Sequence, residues 1–243
     1  MRILNVTAQK PDSTGSGVYL AEMVRCEVAA GHSAAVICGI APDDPLPFPD
    51  GVSAYPVHFE TDEVPFPVCG MSDEMPYRAT RYRDMDDRMV SCFRAAFAKR
   101  IKRAVGEFRP DVVVCHHLYL LTSLVQSMVS DIPVFAICHS TDLRQMRSHG
   151  LERDAIIEGI CSLTGVLLST VSSAARSSIC ADANRTTFRY WALGTTPRCL
   201  RLLLCNRRKK ANFLFYTLAR FGKRRALGVC SMPLTKLRSP RKS

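Results

Sequence analysis

The sequence predicts an α/β fold built on a doubly wound parallel sheet, because short apolar segments alternate with amphipathic helical patterns. Residues 34–40 and 134–138 are apolar nearly throughout, as expected of parallel strands that helices cover on both faces. Between them, residues 89–108 carry apolar side chains at steps of three or four, the spacing of an amphipathic helix. Such alternation is typical of strands joined by right-handed helical crossovers.

The chain opens with a β-loop-α-β unit. Residues 2–8 are apolar and favour a strand, residues 9–17 are rich in turn-forming residues, and the helical pattern that follows ends at Gly31. The predicted apolar face of that helix consists of Val18, Ala21, Val24 and Val28. Residues 34–40 supply the second strand of the unit.

A long irregular excursion follows, since residues 41–83 contain eight prolines and only one plausible strand, near residues 52–57. Loops of this length usually have a function. The helix predicted over residues 89–108 carries a basic cluster, which we interpret as a solvated face. This cluster consists of Lys99, Arg100, Lys102 and Arg103.

After residue 108, predicted strands and helices alternate again. Residues 111–115 and 134–138 are predicted strands, separated by a helix near residues 119–129. A last helix is expected over residues 154–162, and residues 165–168 begin another strand.

The 11 cysteines stand singly, without CxxC pairs, so the sequence favours reduced thiols over a zinc ribbon or a disulfide framework. The first residues lack the apolar stretch of a signal peptide, and no apolar run approaches the ~20 residues that cross a bilayer. We therefore expect a cytoplasmic protein.

Formal charge changes abruptly near residue 170. Residues 1–170 contain 16 Lys and Arg against 21 Asp and Glu, whereas residues 171–243 contain 17 against Asp182 alone. A folded domain usually mixes both signs on its surface. The sequence thus predicts an α/β domain over residues 1–168 and a poorly ordered basic tail over residues 169–243.

Candidate site residues follow three predicted strands, because ligands of open parallel sheets bind beyond the carboxyl ends of the strands. Glycines after the first strand allow close approach to a phosphate or sugar at a helix N-terminus. Histidines follow the strands at residues 111–115 and 134–138. In chain order, the candidates are Gly15, Ser16, Gly17, His116, His117, His139 and Asp142.

Other chemistries find less support in these loops. The glycine loop lacks the third glycine and the ribose-binding acid of a dinucleotide fingerprint, which argues against a nicotinamide-dependent oxidoreductase. Histidines and cysteines that leave one strand side by side do not converge as a zinc site requires, so no metal is expected. The sequence has no GxSxG elbow or other nucleophile motif.

The three loops, in this order, resemble the N-terminal half of GT-B glycosyltransferases, in particular retaining family-four enzymes with nucleotide-sugar donors. The similarity lies in MRILNVTAQKPDSTGSGVYLAEMV, PDVVVCHHLYLL and PVFAICHSTDLRQM, and it covers roughly residues 1–168. The resemblance implies a Rossmann-like acceptor-side domain, a hexosyltransferase class of activity, a nucleotide-sugar co-substrate and a hydroxyl acceptor, with no further cofactor.

Roles for individual residues come from the same resemblance. His116 would be the catalytic histidine, although the family often has HxH where this chain has Val114-Cys115-His116. The glycine loop would lie beside the donor diphosphate and the acceptor, His117, His139 and Asp142 would bind donor or acceptor, and residues 65–77 would help to shape the acceptor side. The motifs of the family's donor-binding second domain are not recognisable in the sequence after residue 170.

The tail is compatible with a change of reading frame. Read in one neighbouring frame, the codons of residues 190–200 are compatible with LGTGYNPAVF, and those of residues 213–232 are compatible with ILYAGKIWEKKGVRSVLN. Both strings resemble family segments that are expected after residue 170 and are not recognisable in the given sequence. We therefore expect a frameshift or truncation after about residue 166 and an inactive chain. The alternative is a non-enzymatic α/β binding protein whose tail binds nucleic acid or an anionic membrane, with steeply salt-dependent affinity.

Overall fold

The computed structural model describes residues 1–139, 141–168 and 190–192. The strands are β1 (Arg2–Val6), β2 (Ser33–Ile40), β3 (Ser53–His58), β4 (Cys69–Gly70), β5 (Thr80–Arg81), β6 (Val112–His116), β7 (Val134–Cys138), β8 (Gly165–Leu168) and β9 (Tyr190–Ala192). The helices are α1 (Gly15–Ala29), α2 (Asp87–Phe108), α3 (Leu120–Met128), α4 (Thr141–Ser148) and α5 (Arg153–Cys161), with a 3-10 turn at Tyr82–Asp84.

The described strands form one seven-stranded parallel sheet and a separate two-stranded ladder. The order in the large sheet is β3-β2-β1-β6-β7-β8-β9. The chain winds outward from β1 through β2 to β3, then returns to the other side of β1 at β6 and winds outward again. This arrangement confirms the predicted doubly wound fold and makes the crevice between β1 and β6 its topological switch point.

Helices cover both faces of the sheet, as the apolar strands predict. On one face, α1 packs its Leu20 and Met23 over small clusters of strand residues. On the other face, α2, α3 and α5 cover a larger core that contains Phe93 and Phe97. The strands β1, β2, β6 and β7 are therefore buried on both faces, which leaves their ends for ligands.

Local sequence fixes where the main helices begin and end. The Thr14 hydroxyl accepts a hydrogen bond from the Gly17 N–H at 3.1 Å and starts α1 three residues earlier than the apolar pattern suggests. Asp86 caps α2 in the same way, through the Met89 N–H at 2.8 Å. The helix ends at Arg109, whose φ of 50° is left-handed.

The excursion over residues 41–83 has little regular structure, yet it packs onto the core. Phe59, Met71 and Tyr82 are almost completely buried against the α2 side of the sheet. In the basic cluster of α2, Arg100 and Lys99 both contact Glu63 of the excursion, and Arg103 pairs with Glu107. Ion pairs within the domain thus neutralise much of this face.

The predicted basic tail falls almost entirely outside the described residues. Its described part, β9, pairs in parallel with β8 at the end of the sheet. Across the residues for which coordinates are described, no helix is both long and apolar enough to traverse a bilayer.

Candidate functional site

The three predicted loops meet at the carboxyl edge of the sheet, on either side of the switch point. The loop after β1 leads into α1, the loop after β6 contains His117, and the loop after β7 leads into α4, which carries Asp142 in its first turn. Since β1, β6 and β7 are adjacent parallel strands, these residues are brought together although about 100 residues of sequence separate the first from the others.

His117 is the centre of the hydrogen-bond network. Its Nδ1 lies 3.0 Å from Asp142 Oδ1, and its Nε2 lies 3.1 Å from Ser16 Oγ and 2.9 Å from Gln9 Oε1. The residue has a left-handed φ of 78°, a conformation that costs energy in a residue with a side chain. This backbone turn directs the ring toward the loop that joins β1 to α1, called the α1 loop below.

Asp142 joins the β6 and β7 loops. It is completely buried, and its carboxylate accepts hydrogen bonds from the Leu118 N–H at 2.7 Å and from the His139 N–H at 3.3 Å. Burial alone would raise the pKa of Asp142, but its interaction with His117, helped by His139 and the Leu118 N–H, lowers the pKa to about 2. The carboxylate is therefore ionised at any physiological pH.

His116 and His139 form a stacked pair next to this network. Their ring centroids are 5.8 Å apart with planes 17° from parallel, and the edge of Tyr19 approaches His139. Burial lowers the pKa of His116 well below 6.5 and that of His139 to about 3. Among the described residues, neither ring nitrogen of His116 nor Nε2 of His139 has a hydrogen-bond partner, so these buried imidazoles have unmet hydrogen-bonding capacity.

The two glycines of the α1 loop differ in role. A Cβ at Gly17 would lie 2.7 Å from the Lys10 carbonyl oxygen and 2.8 Å from the Asp12 nitrogen, so glycine is needed there for packing. A Cβ at Gly15 would meet nothing within 4 Å, and Gly15 is exposed. Of the two, Gly15 is the position that leaves room for a ligand.

A small recess opens beside His117 on the α2 side of the sheet. Gln9, Met71, Tyr82 and Tyr119 contribute to its wall, and none of its lining residues is an Asp, Glu, Lys or Arg. Met71 comes from the segment predicted to shape the acceptor side. Gln9 was not among the predicted site residues, although it directly follows the first predicted strand, the same signal that identified the histidines.

Metal binding finds no support in the geometry. Within the described ranges, no three His, Cys, Asp or Glu side chains are grouped closely enough to hold an ion.

Taken with the switch-point site, the sheet defines a Rossmann-like domain of the kind that forms the N-terminal half of GT-B glycosyltransferases. The sequence model of Glycosyltransferase Family 4 matches residues 13–181, and this chain belongs to that family. The match includes the first residues of the basic tail and none of residues 182–243.

Solved structures agree on the fold. A sucrose-phosphate synthase from Thermosynechococcus elongatus superposes with a TM-score of 0.53 at 12% identity, covering 84% of this chain and 50% of the other. An E. coli structure described as trehalose-6-phosphate bound with UDP-2-fluoro glucose gives 0.50 at 13% identity, covering 85% and 52%. This chain therefore spans about half the length of these proteins. No curated protein sequence matches it.

Proposed function

We propose that this chain is the acceptor-side half of a glycosyltransferase that moves a sugar from a nucleotide-sugar donor to an acceptor hydroxyl. The observation that carries the proposal is the family match over residues 13–181, in which the switch-point loops bring a glycine-containing helix start next to three histidines. No extra cofactor is needed for this chemistry.

His116 is the proposed catalytic residue. Its imidazole is buried and uncharged, and both ring nitrogens lack partners within the described residues. A neutral imidazole at the switch point can hold or deprotonate an acceptor hydroxyl as it attacks the anomeric carbon. His139, stacked on His116 and also uncharged, is suited to bind the same hydroxyl-bearing ligand.

The α1 loop is the proposed contact of the donor diphosphate. Gly15 leaves open space at the N-terminus of a 15-residue helix, and the amides of such a terminus favour an anion. In this proposal Ser16 contributes a hydroxyl, Gly17 permits the close packing of the loop, and His117 with Asp142 fixes the loop from the β6 side.

The proposal extends to the donor-binding half, which by the family resemblance would follow residue 170. The chain spans about half of the similar structures, and its tail is compatible with family sequence in a neighbouring reading frame. We therefore propose that the 243-residue chain binds an acceptor at most weakly and does not transfer sugar, and that the frame changes after about residue 166.

Two measurements test the proposal. The DNA across codons 160–243 should contain, at the stated offset, a long open frame that encodes a donor-binding domain. The purified 243-residue chain, incubated with uridine- and guanosine-diphosphate sugars and a panel of hydroxyl acceptors, should release no nucleoside diphosphate above background. Sugar transfer at rates ordinary for an enzyme would refute the proposed inactivity of the 243-residue chain, and an offset interrupted by stop codons would refute the change of frame.

A further inference from the structure

Both ring nitrogens of His117 face oxygen atoms that can only accept hydrogen bonds. Nδ1 lies 3.0 Å from Asp142 Oδ1, and Nε2 lies 2.9 Å from Gln9 Oε1. The Asp142 carboxylate is ionised and has no proton to donate, and the amide oxygen of Gln9 has none either. A neutral imidazole carries one N–H group and could satisfy only one of these two contacts.

The Ser16 hydroxyl adds a further acceptor on the same side of the ring. It donates its single proton to Gln9 Oε1 at 2.9 Å, and its oxygen lies 3.1 Å from His117 Nε2. Because that proton is already used, the hydroxyl oxygen faces Nε2 as an acceptor. Only the doubly protonated form of the ring, an imidazolium, supplies an N–H group to both sides.

The surroundings of His117 suit a buried positive charge. The ring is almost completely buried, and the carboxylate of Asp142, which is also buried, faces it directly. A buried charge is tolerated when it is paired with an opposite charge and hydrogen-bonded, as here. On the side of the recess stand Tyr82 and Tyr119, and burial raises the pKa of both hydroxyl groups, so they stay uncharged.

A charge on His117 acts on the two neighbouring histidines. The rings of His117 and His139 pack with centroids 4.7 Å apart. Burial lowers the pKa of His139 most, and the interaction with His117 lowers it further. For His116 the lowering comes from burial first, then from His139 and His117. Asp142 raises both pKa values by less, so the like charge of His117 disfavours a proton on either neighbour.

We infer that His117 is a positioning residue: a buried imidazolium, held between Asp142 and Gln9, that keeps His116 and His139 in their uncharged form. The inference rests on the proposed function and assigns different roles to two histidines that are adjacent in sequence. With a proton on each ring nitrogen, His117 has no lone pair and cannot act as the base. His116, whose ring nitrogens lack partners among the described residues, remains neutral and keeps a lone pair for an acceptor hydroxyl.

The two protons of the imidazolium also join the three loops of the site. The Nε2 proton is directed at Gln9 and Ser16 in the loop after β1, and the Nδ1 proton is directed at Asp142 in the first turn of α4. His117 itself lies in the loop after β6. A neutral ring would lose one of these connections, so charge and geometry depend on the same protons.

The test is ¹H–¹⁵N NMR of the histidine rings in the full 243-residue chain, labelled with ¹⁵N-histidine and recorded between about pH 4 and pH 8. The spectra distinguish a ring nitrogen that carries a proton from one that does not, and single substitutions assign the six rings. We expect two protonated nitrogens on His117 across this range and one bare nitrogen each on His116 and His139. In urea, every ring should lose its second proton near the ordinary value of about 6.5.

Variants separate the charge of His117 from its place in the structure. His117→Gln keeps hydrogen-bonding groups but removes the charge, and it should raise the pH at which His139 takes up a proton by about 1–2 units. Asp142→Asn removes the ionised acceptor and should leave one bare nitrogen on His117 at neutral pH. Ser13→Ala is the matched control, because Ser13 is exposed in the α1 loop and donates to the Pro11 carbonyl oxygen, and it should change none of the ring signals.

Two results would overturn the inference. One is a bare nitrogen on His117 of the folded wild-type chain at neutral pH, which would mean that the Gln9 amide is turned and donates to Nε2. The other is an unchanged titration of His139 in folded His117→Gln. Neither measurement involves sugar transfer, so such a failure leaves the proposed function to its own tests, and a chain that transfers no sugar still gives the ring signals.

Discussion

Glu27 is a carboxylic acid in the protein interior, where burial favours apolar side chains. It belongs to α1 and is completely buried, and Asn5 of β1 donates a hydrogen bond from Nδ2 to its Oε2 at 2.8 Å. Burial raises the pKa of Glu27 to about 8, against the lowering effect of that hydrogen bond. In the described structure, Asn5 Oδ1 and Glu27 Oε1 both lack a partner, and a protonated carboxyl can supply the missing donor.

This pair makes stability depend on pH. The folded chain keeps the Glu27 proton up to about pH 8, whereas the unfolded chain loses it near the ordinary value of 4.5. Stability from this group is thus complete below about pH 4.5 and is lost as pH rises to about 8, at roughly 1.4 kcal/mol per pH unit at most. Glu27→Gln, which carries no titrating proton, should remove that loss and be more stable than wild type at pH 8.

Urea unfolding between pH 5 and pH 9 measures the effect. Glu22→Gln is the control, because Glu22 is in the same helix but solvent-accessible and paired with Arg25. An equal pH slope in wild type and Glu27→Gln would mean that the Glu27 carboxyl is already ionised in the folded chain.

At the residue scale, the sequence predicted which residues lie at the switch point better than it predicted their contacts. His116, His117, His139 and Asp142 were expected there because each follows a predicted strand, and the structure brings them together. The contact of His117 with Ser16 was not predictable, because it depends on a left-handed backbone conformation at His117. No neighbouring glycine or proline indicates that conformation in the sequence. The face of α1 was also misjudged: Val18 and Val28 are only partly buried, because the buried face includes the polar Glu27.

At the scale of elements, α3 and α5 pack unusually closely on the α2 face of the sheet. A Cβ on Gly159 of α5 would lie 2.8 Å from both Cα and Cβ of Ser123 in α3. The Ser123 hydroxyl also donates to the Ala155 carbonyl oxygen at 3.2 Å. Because α3 follows the β6 loop that carries His117, this contact holds one side of the site in place.

Gly159→Ala should therefore separate the two helices and lower the free energy of unfolding by about 1–3 kcal/mol, the usual cost of overpacking. Gly106→Ala is the matched control, because a Cβ at that position of α2 meets nothing within 4 Å. It should raise stability by roughly 0.5–1 kcal/mol through helix propensity alone. Equal stabilisation by both substitutions would rule out the close approach of α3 and α5.

Strands and helices whose apolar residues recur at regular spacing were predictable from the sequence, and elements without such spacing were not. The strands β1, β2, β3, β6, β7 and β8 and the helices α1, α2, α3 and α5 lie within a few residues of their predicted positions. Helix α4 was missed because its buried residues are Asp142 and Gln145, so the segment has no apolar stripe. The two-residue strands β4 and β5 are too short to leave a pattern in the sequence.

At the scale of the whole molecule, the alternation of strands and helices predicted the fold class, a doubly wound parallel sheet, which the structure confirms. The site is built at the β1 and β6 switch point, and the chain spans about half of the similar glycosyltransferase-fold structures. The net charge of +11 arises entirely after residue 170. The charge of the tail fits the alternative of a basic binding arm, whereas the family match over residues 13–181 supports the proposed glycosyltransferase function.

If the frame changes as we propose, restoring it after codon 166 should give a protein that transfers sugar. In that restored protein, His116→Ala should lower kcat by about 10²–10⁴-fold, because it removes the neutral imidazole proposed to act on the acceptor hydroxyl. Ser13→Ala, in an exposed position of the same crevice, should leave kcat unchanged. Nucleoside diphosphate release with matched acceptors measures both. A frame-restored chain that folds but transfers no sugar would contradict the proposed function, and full activity in His116→Ala would move the catalytic role to another residue.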